Sequence, residues 1–420
     1  MKPPRLVAGS RPPKPSARKA SHLPQPATPA ADEPSGTLPL DGLLVADFSR
    51  VLAGPLCAQL LADAGARVIK VEEPGLGDET RRWGPPFVNG VSAYFLSVNR
   101  NKESLTLNLK SEKGLEIATR LIGRADVVID NFLPGSIVLP DNAHAVRCSI
   151  RGFDSDTTEA SAPGYDLLAQ AGAGLMAITG EVDGEPMKTG VALSDVLTAH
   201  HAHAAILAAL FARQRTGRGA VIEVSLFSST LASLVNVAQS ALLTGKEAKR
   251  WGNQHPSIVP YQLFHARDRP FAVGVGTDRH FRALCERVVG LPELAGDHRF
   301  STNWSRVKHR QLLIATLERI FRTRTAKHWT SRCREASIPA SLVQGVREAL
   351  RSPAARGLVA TVDLPEIGAY EAVGNPIRLD GHRLPIRSAP PRLGQETDAI
   401  LRELGYDGPA IERLRRSGVV

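Results

Sequence analysis

The chain has 420 residues, enough for two domains or one large domain with an insertion. Its composition, 43% hydrophobic but only 5% aromatic, builds cores from Ala, Val and Leu, and no run of about 18 uncharged apolar residues reads as a transmembrane span. The formal net charge of +10 admits nucleic acid, an acidic membrane surface or anionic small molecules as partners, but the aromatic-plus-basic pattern of an RNA-binding sheet and the spacing of a zinc finger are both missing.

Residues 1–38 are rich in Pro, Ala, Ser, Lys and Arg and cannot bury apolar surface; they are expected to form a disordered tail. The acid-free stretch carrying Lys2, Arg5, Arg11, Lys14, Arg18 and Lys19 also fits a mitochondrial transit peptide, although its prolines argue against an amphipathic helix. Folding starts near Leu40. The apolar run Leu43–Phe48 predicts a buried strand. A turn through Gly54-Pro55 follows, with Pro55 at a first helical position, then a helix over 56–64 ended by Gly65, and a second strand over 66–72. A connection this short between two strands implies a parallel, right-handed β-α-β unit. A helix over 111–124 and a strand over 125–130 continue the alternation, which predicts a doubly wound α/β sheet. The first strand–helix turn lacks GxGxxG, so Glu72, at the end of the second strand, is a weak ribose ligand and no NAD site is expected.

Asp166 follows a Pro163-Gly164 turn and opens an apolar segment. Read locally, it caps the following helix, although Ala169 stands where a capping box wants Glu or Gln. Read chemically, a carboxylate in a dry pocket beside backbone N–H donors is a nucleophile. Gly180–Gly190 reads as a hairpin or loop. Ser194 is expected to cap a helix reaching about Arg213, Ala220–Phe227 to form a strand, and Ser228–Thr244 to form one apolar helix between domains. A strand over 271–275 and helices near 278–289, 308–321 and 325–336 suggest a separate unit, and a helix over 396–404 is expected to close a Pro- and Gly-rich tail. His200, His201 and His203 share a helix but lack further ligands, so no metal is expected. The four cysteines are far apart, with no CxxC pair, which suits reduced thiols in an intracellular protein.

Several blocks in order carry a family resemblance: Asp47–Pro55, Gly65–Glu72, Gly77–Arg81, Ser97–Ser104, Asp130–Gly135, the Asp166 stretch, Thr216–Phe227 and Ala389–Gly394. From Leu40 to Tyr406 the chain resembles the family III CoA-transferases (the CaiB/BaiF superfamily of formyl-CoA transferase, carnitine CoA-transferase and acyl-CoA racemase). The resemblance implies an α/β fold with a Rossmann-like doubly wound large domain and an inserted smaller α+β domain, in interlocked homodimers. The boundaries would be 39–227 for the first part of the large domain, 228–345 for a linker helix and the small domain, and 346–420 for the return. It implies that Asp166 carries the acyl group and then CoA. Arg50, Ala53, Asn99, Lys102, Asn131 and Phe132 become candidate CoA or active-site contacts, and Arg81 and Arg100 candidates for phosphates or a substrate carboxylate. Gly252 and His255 lie where some members have a glycine-rich lid, although the glycine repeat is missing here.

The implied reaction is ping-pong transfer of CoA between carboxylic acids through an aspartyl anhydride and an aspartyl-CoA thioester. Coenzyme A is then a substrate, no cofactor is needed, and the partners are an acyl-CoA and a small carboxylic acid, with neither nucleic acid nor membrane. The segments 83–87 and 253–260 look most like members using dicarboxylic acids, such as succinyl-CoA:glutarate transferases. An α-methylacyl-CoA racemase is the alternative within the superfamily, but such members often carry His where Tyr165 stands; a non-catalytic basic binding protein is the alternative outside it. A cytoplasmic location is expected, or a mitochondrial one if the tail is a transit peptide.

Overall fold

The structure, a computed structural model, describes residues 38–420; the expected disordered tail lies outside them apart from its last residue. Six parallel strands form the main sheet: β1 (Leu44–Asp47), β2 (Arg67–Glu72), β3 (Lys102–Thr106), β4 (Val127–Asp130), β5 (Val146–Arg151) and β6 (Val221–Ser225). Their spatial order is β3-β2-β1-β4-β5-β6. The order reverses between β1 and β4, and in such sheets ligands bind in the crevice beyond the carboxyl ends of those two strands.

The central strands β1, β2 and β4 are buried on both faces. Successive side chains point to opposite faces. Ala46, Ile69, Leu105 and Val128 meet helix α2 (Glu112–Ile122) through Ile117, Leu121 and Ile122, joined by Ile400 and Leu401 from the C-terminal part of the chain. Val45, Val68, Ile129 and Cys148 pack instead on helix α1 (Ala53–Asp63) and on helix α4 (Leu193–Thr216), through residues such as Cys57, Leu61, Ala202 and Ile206. Between β5 and α4 lies the short helix α3 (Asp166–Gly172), and helix α5 (Leu226–Ala232) leaves β6. A third core belongs to the antiparallel sheet of β7 (Tyr261–His265), β8 (Pro270–Gly274) and β9 (Ala340–Leu342). Here Phe321 meets Phe264, Phe271 and Trp329 edge-on, with ring centroids 4.9, 5.1 and 5.2 Å apart.

The structure corrects several expectations. Helix α1 begins at Ala53, so Pro55 is its third residue rather than its first. Ser194 is the second residue of α4, not its cap. The 228–244 segment is broken: α5 ends at Ala232, a second helix spans Val235–Thr244, and the two are bent by 77°. The helix Thr397–Glu403 is not the last, because Gly408–Arg416 follows, capped by Asp407. Among the described residues α4 is by itself long and apolar enough to span a membrane. One side of it is nevertheless buried against α1 and the sheet, and Asp195, His200, His201 and His203 interrupt its apolar character.

Candidate active site

The loop leaving β1 is built to hold one shape. Arg50 donates its backbone N–H to Asn131 Oδ1 (3.0 Å), and Asn131 Nδ2 donates to the Arg50 carbonyl (2.8 Å), which ties the carboxyl ends of β1 and β4 together. Val51 has φ +71°, a left-handed conformation that a β-branched residue rarely adopts. Its N–H points at the Asp78 carboxylate (3.3 and 3.4 Å), which also accepts from Lys70 Nζ at 2.8 Å. Three residues on, a Cβ on Gly54 would lie 2.2 Å from that of Ser49, so the loop can close only around glycine. Strain of this kind costs about 1–3 kcal/mol and persists where the surroundings over-determine it; here Asn131, Asp78 and Lys70 supply that constraint.

Asp166 is placed by a second close approach. The chain leaves β5 through Gly152 and returns through Gly164, whose backbones cross so tightly that a Cβ on Gly164 would lie 2.1 Å from the Gly152 Cα. Asp166 is then the first residue of α3 and does not cap it. Its Oδ1 accepts the Ser194 backbone N–H (2.8 Å), so the carboxylate sits at the N-terminus of the 24-residue α4, where the helix dipole favours negative charge. Oδ2 accepts from Gln170 Nε2 (2.7 Å). Gln170 is fully buried and its Oε1 takes the Thr189 N–H (2.9 Å), which fixes the side-chain amide and so the carboxylate.

Beside this group lies a cavity of about 180 Å³. Arg50, Ala53, Asn131 and Phe132 line one side of it, and Tyr165 and Asp195 another. Asp166 is not itself on the wall; the wall passes through Tyr165, which precedes it, and Asp195, which follows the Ser194 that binds it. Burial and then the Asp166 charge push the Asp195 carboxyl up to about 7. Tyr94 feels the same field: burial, followed by the charges of Asp195 and Asp166, pushes its phenol up to about 12. A second hollow of about 290 Å³, also bounded by Arg50 and Phe132, runs along the ends of β2 and β3, where Arg82 and Lys110 lie beside Glu73 and Glu79, Lys110 pairing with Glu73 at 3.5 Å.

Of the residues expected to contact CoA, the structure thus brings Arg50, Ala53, Asn131 and Phe132 to the cavity. Four others have structural partners. Lys102 is buried and its ammonium donates to Asp47 (3.0 Å), the Pro55 carbonyl (2.8 Å) and Asn99 Oδ1 (2.9 Å), so it is not solvated, and Asn99 Nδ2 donates to the Phe95 carbonyl (3.0 Å). Arg100 pairs with Asp63 (2.6 Å) and donates to the Val373 carbonyl (3.0 Å). Arg81 pairs with Glu72 (2.6 Å) and stacks on Phe95, with 3.7 Å between guanidinium carbon and ring centre. In this structure these three cations are paired with the buried acids Asp47, Asp63 and Glu72. Gly252 lies beside Glu181 and Val182, and the neighbouring Trp251 faces Arg310. His255 packs edge-on against Tyr261. In this chain neither Gly252 nor His255 lines the cavity beside Asp166.

Sequence reasoning missed Asp195, Gln170, Arg82 and Lys110. Asp195 had one legible signal, being the sole acid of a long alanine-rich helix, in its first turn. Gln170 had none, because its role appears only when Thr189 is folded back onto it.

A carboxylate fixed by a helix amide thus lies beside a cavity at the switch point of a doubly wound parallel sheet, the place where α/β proteins bind their ligands. The family model for CoA-transferase family III matches residues 40–397, and the chain belongs to that family. It is 40% identical over 397 residues to the succinyl-CoA:glutarate CoA-transferase of Mus musculus, covering 91% of this chain and 90% of the other. It is 39% identical over 389 residues to the acetyl-CoA:oxalate CoA-transferase of Acetobacter aceti, covering 90% and 97%. The crystal structure of a CAIB/BAIF family protein from Brucella suis superposes with a TM-score of 0.77 at 38% identity, covering 88% of this chain and all of that one.

Proposed function

We propose that this enzyme moves CoA from an acyl-CoA to a carboxylic acid, with dicarboxylic acids as its substrate class, and that Asp166 carries the transferred groups. The fixed Asp166 carboxylate at the α4 N-terminus carries this reading. An Asp166 oxygen attacks the thioester carbonyl carbon; the C–S bond breaks, giving an aspartyl anhydride and CoA thiolate. The thiolate then attacks the aspartyl carbonyl, releasing the first acid as its carboxylate and leaving Asp166 as a CoA thioester. The incoming carboxylate repeats these steps in reverse order. Each intermediate is about as activated as a thioester, so no energy input is needed, but water must be excluded from the anhydride.

The two hollows suit the two ends of the donor. The cavity by Tyr165 and Asp195 takes the acyl end, and the adjoining hollow, which meets it at Arg50 and Phe132, takes the CoA end. The dicarboxylate class rests on the named activities of the relatives. A homodimer belongs to the same reading: Val221, Leu242 and Leu243 are 85%, 80% and 77% exposed, and a second copy would cover them. Light scattering on the purified protein is expected to give twice the 45.1 kDa chain mass.

Mass spectrometry after incubation with succinyl-CoA tests the chemistry. A CoA adduct on a peptide containing Asp166, absent from Asp166→Ala, is the expected result. No adduct with any of a panel of acyl-CoAs sinks the covalent reading.

A further inference from the structure

We propose that Asp195 is a second catalytic carboxyl of this site, donating a hydrogen bond from its protonated form to the acyl oxygen as negative charge develops there. The proposal rests on the acyl-transfer reading above and assigns the donor which that reading lacks. Asp195 lies in the first turn of α4 and lines the cavity. It directly follows Ser194, whose N–H holds Asp166 Oδ1 at 2.8 Å, so the nucleophile and Asp195 are presented by adjacent residues of one helix turn.

The Asp195 carboxyl has no hydrogen-bond or ion-pair partner among the described residues, whereas the buried Asp47 and Asp78 have several each. The charged groups around it do not compensate it. Asp166, from α3, adds negative charge beside it, and the Tyr94 phenol, from the helix Ala93–Ser97, is pushed up to about 12, chiefly by burial, so it offers no positive charge. On the cavity wall Arg50, after β1, is already paired with Glu79 (2.8 Å), and Arg151, at the end of β5, with Glu223 (3.2 Å). Two neighbouring carboxyls in a half-buried site do not both ionise readily. Asp166 holds two hydrogen bonds and Asp195 none, and burial, followed by the Asp166 charge, pushes the Asp195 carboxyl up to about 7.

In the first step Asp166 forms the C–O bond and the carbonyl electron pair moves onto oxygen. The Asp195 O–H donates to that oxygen and retains its proton. The pair then returns, the C–S bond breaks, and CoA leaves as thiolate. Ionised, Asp195 would offer no donor and would repel both Asp166 and an anionic substrate.

The test is kcat/KM from about pH 5.5 to 9 for the wild type, Asp195→Asn and Asp195→Ala, with adduct mass spectrometry at Asp166 and circular dichroism on each. The wild type is expected to lose activity as pH rises through about 7. Asp195→Asn keeps a neutral donor, so its profile should stay flat there and cross above the wild type at high pH. Asp195→Ala should fall about 10²-fold at pH 6, the usual cost of losing one oxyanion donor. If Asp195→Asn declines with the wild-type midpoint, or folded Asp195→Ala stays within about threefold of the wild type at pH 6, the proposal is overturned. If Asp195→Ala does not fold, the Asn profile decides alone. An adduct that forms on Asp166 with an unaltered Asn profile removes only this inference; no adduct in the wild type removes the covalent reading and this inference with it.

Discussion

Asp166 holds two donors with one carboxylate, and substitutions separate that structural role from the proposed chemistry. Oδ1 satisfies the Ser194 N–H and Oδ2 the Gln170 amide. Asp166→Ala leaves the Ser194 N–H without an acceptor and Gln170 Nε2 with only the Val191 carbonyl, 3.5 Å away, and removes the N-terminal cap of α4, a loss of about 0.5–2 kcal/mol. Asp166→Asn keeps one oxygen for Ser194 but sets an amide N–H₂ against the Gln170 N–H₂, and Gln170 cannot turn because Thr189 N–H holds its oxygen at 2.9 Å. Both variants are therefore expected to form no CoA adduct, and thermal melts should place both below the wild type. The double variant Asp166→Asn/Gln170→Glu gives the amide an acceptor again and should recover part of the lost melting temperature with no recovery of turnover. Full recovery of turnover in any of them would show that another group is the nucleophile.

At the level of elements, the crossing of Gly152 and Gly164 sets where α3 starts. A Cβ at Gly164 meets backbone rather than the end of a flexible side chain, so the two segments must separate. Shifting a nucleophile by about 1 Å can cost 10²-fold in rate. Gly164→Ala is expected to lower kcat by about that factor while the far-off Gly276→Ala, with open space around its position, leaves kcat and melting temperature unchanged. Equal kcat for Gly164→Ala and the wild type would mean that the crossing does not position Asp166. Four of the six parallel strands were legible as short apolar runs, but β3 and β5 were not, because the sequences KESLT and VRCSIR set charged and polar residues among the apolar ones. The break in 228–244 was not, because residues 233 and 234 are ordinary Ser and Leu, and the 77° bend appears without a Pro or Gly to announce it. The Gly152–Gly164 contact was hidden for a different reason. Each glycine reads alone as a turn former, and only the fold shows that the two are needed for each other.

Across the whole molecule, the site loop rests on buried charges whose partners lie far apart in the chain. Arg81 reaches Pro391 as well as Glu72, Arg100 reaches Val373 as well as Asp63, and Asn375 also donates to Asp63 (3.0 Å). The C-terminal part also covers β3, the edge strand of the main sheet, with Ser104 N–H donating to Glu396 (2.7 Å) and Thr106 N–H to Thr397 Oγ1 (3.0 Å). A linear sequence shows that Arg81, Arg100 and Lys102 are cations near a motif; it cannot show acids and carbonyls up to 310 residues away that already satisfy them. This is why the same block yielded both residues that line the cavity and residues held in buried ion pairs.

The ion network also sets a pH dependence that belongs to the entire fold. Burial alone would raise Asp47, Glu72 and Asp78, but Lys102 and Lys70 around Asp47, Arg81 and Lys70 around Glu72, and Lys70 at Asp78 outweigh it and hold all three below the ordinary carboxylate range. A carboxylate with a depressed folded-state value contributes stability above its unfolded value, near pH 4, and loses that contribution as pH falls toward the folded one. The wild type should therefore keep its melting temperature from about pH 7 to 5 and lose it steeply below about pH 4. Asp78→Asn leaves Lys70 without its closest acid and removes one titrating group. It should melt lower at pH 7, since breaking a buried pair costs about 3–5 kcal/mol, and fall less steeply in acid. Equal acid slopes for the two proteins would show that Asp78 is not among the groups whose protonation loosens the fold, and the Val51 turn would then owe its shape to Asn131 and Gly54 instead.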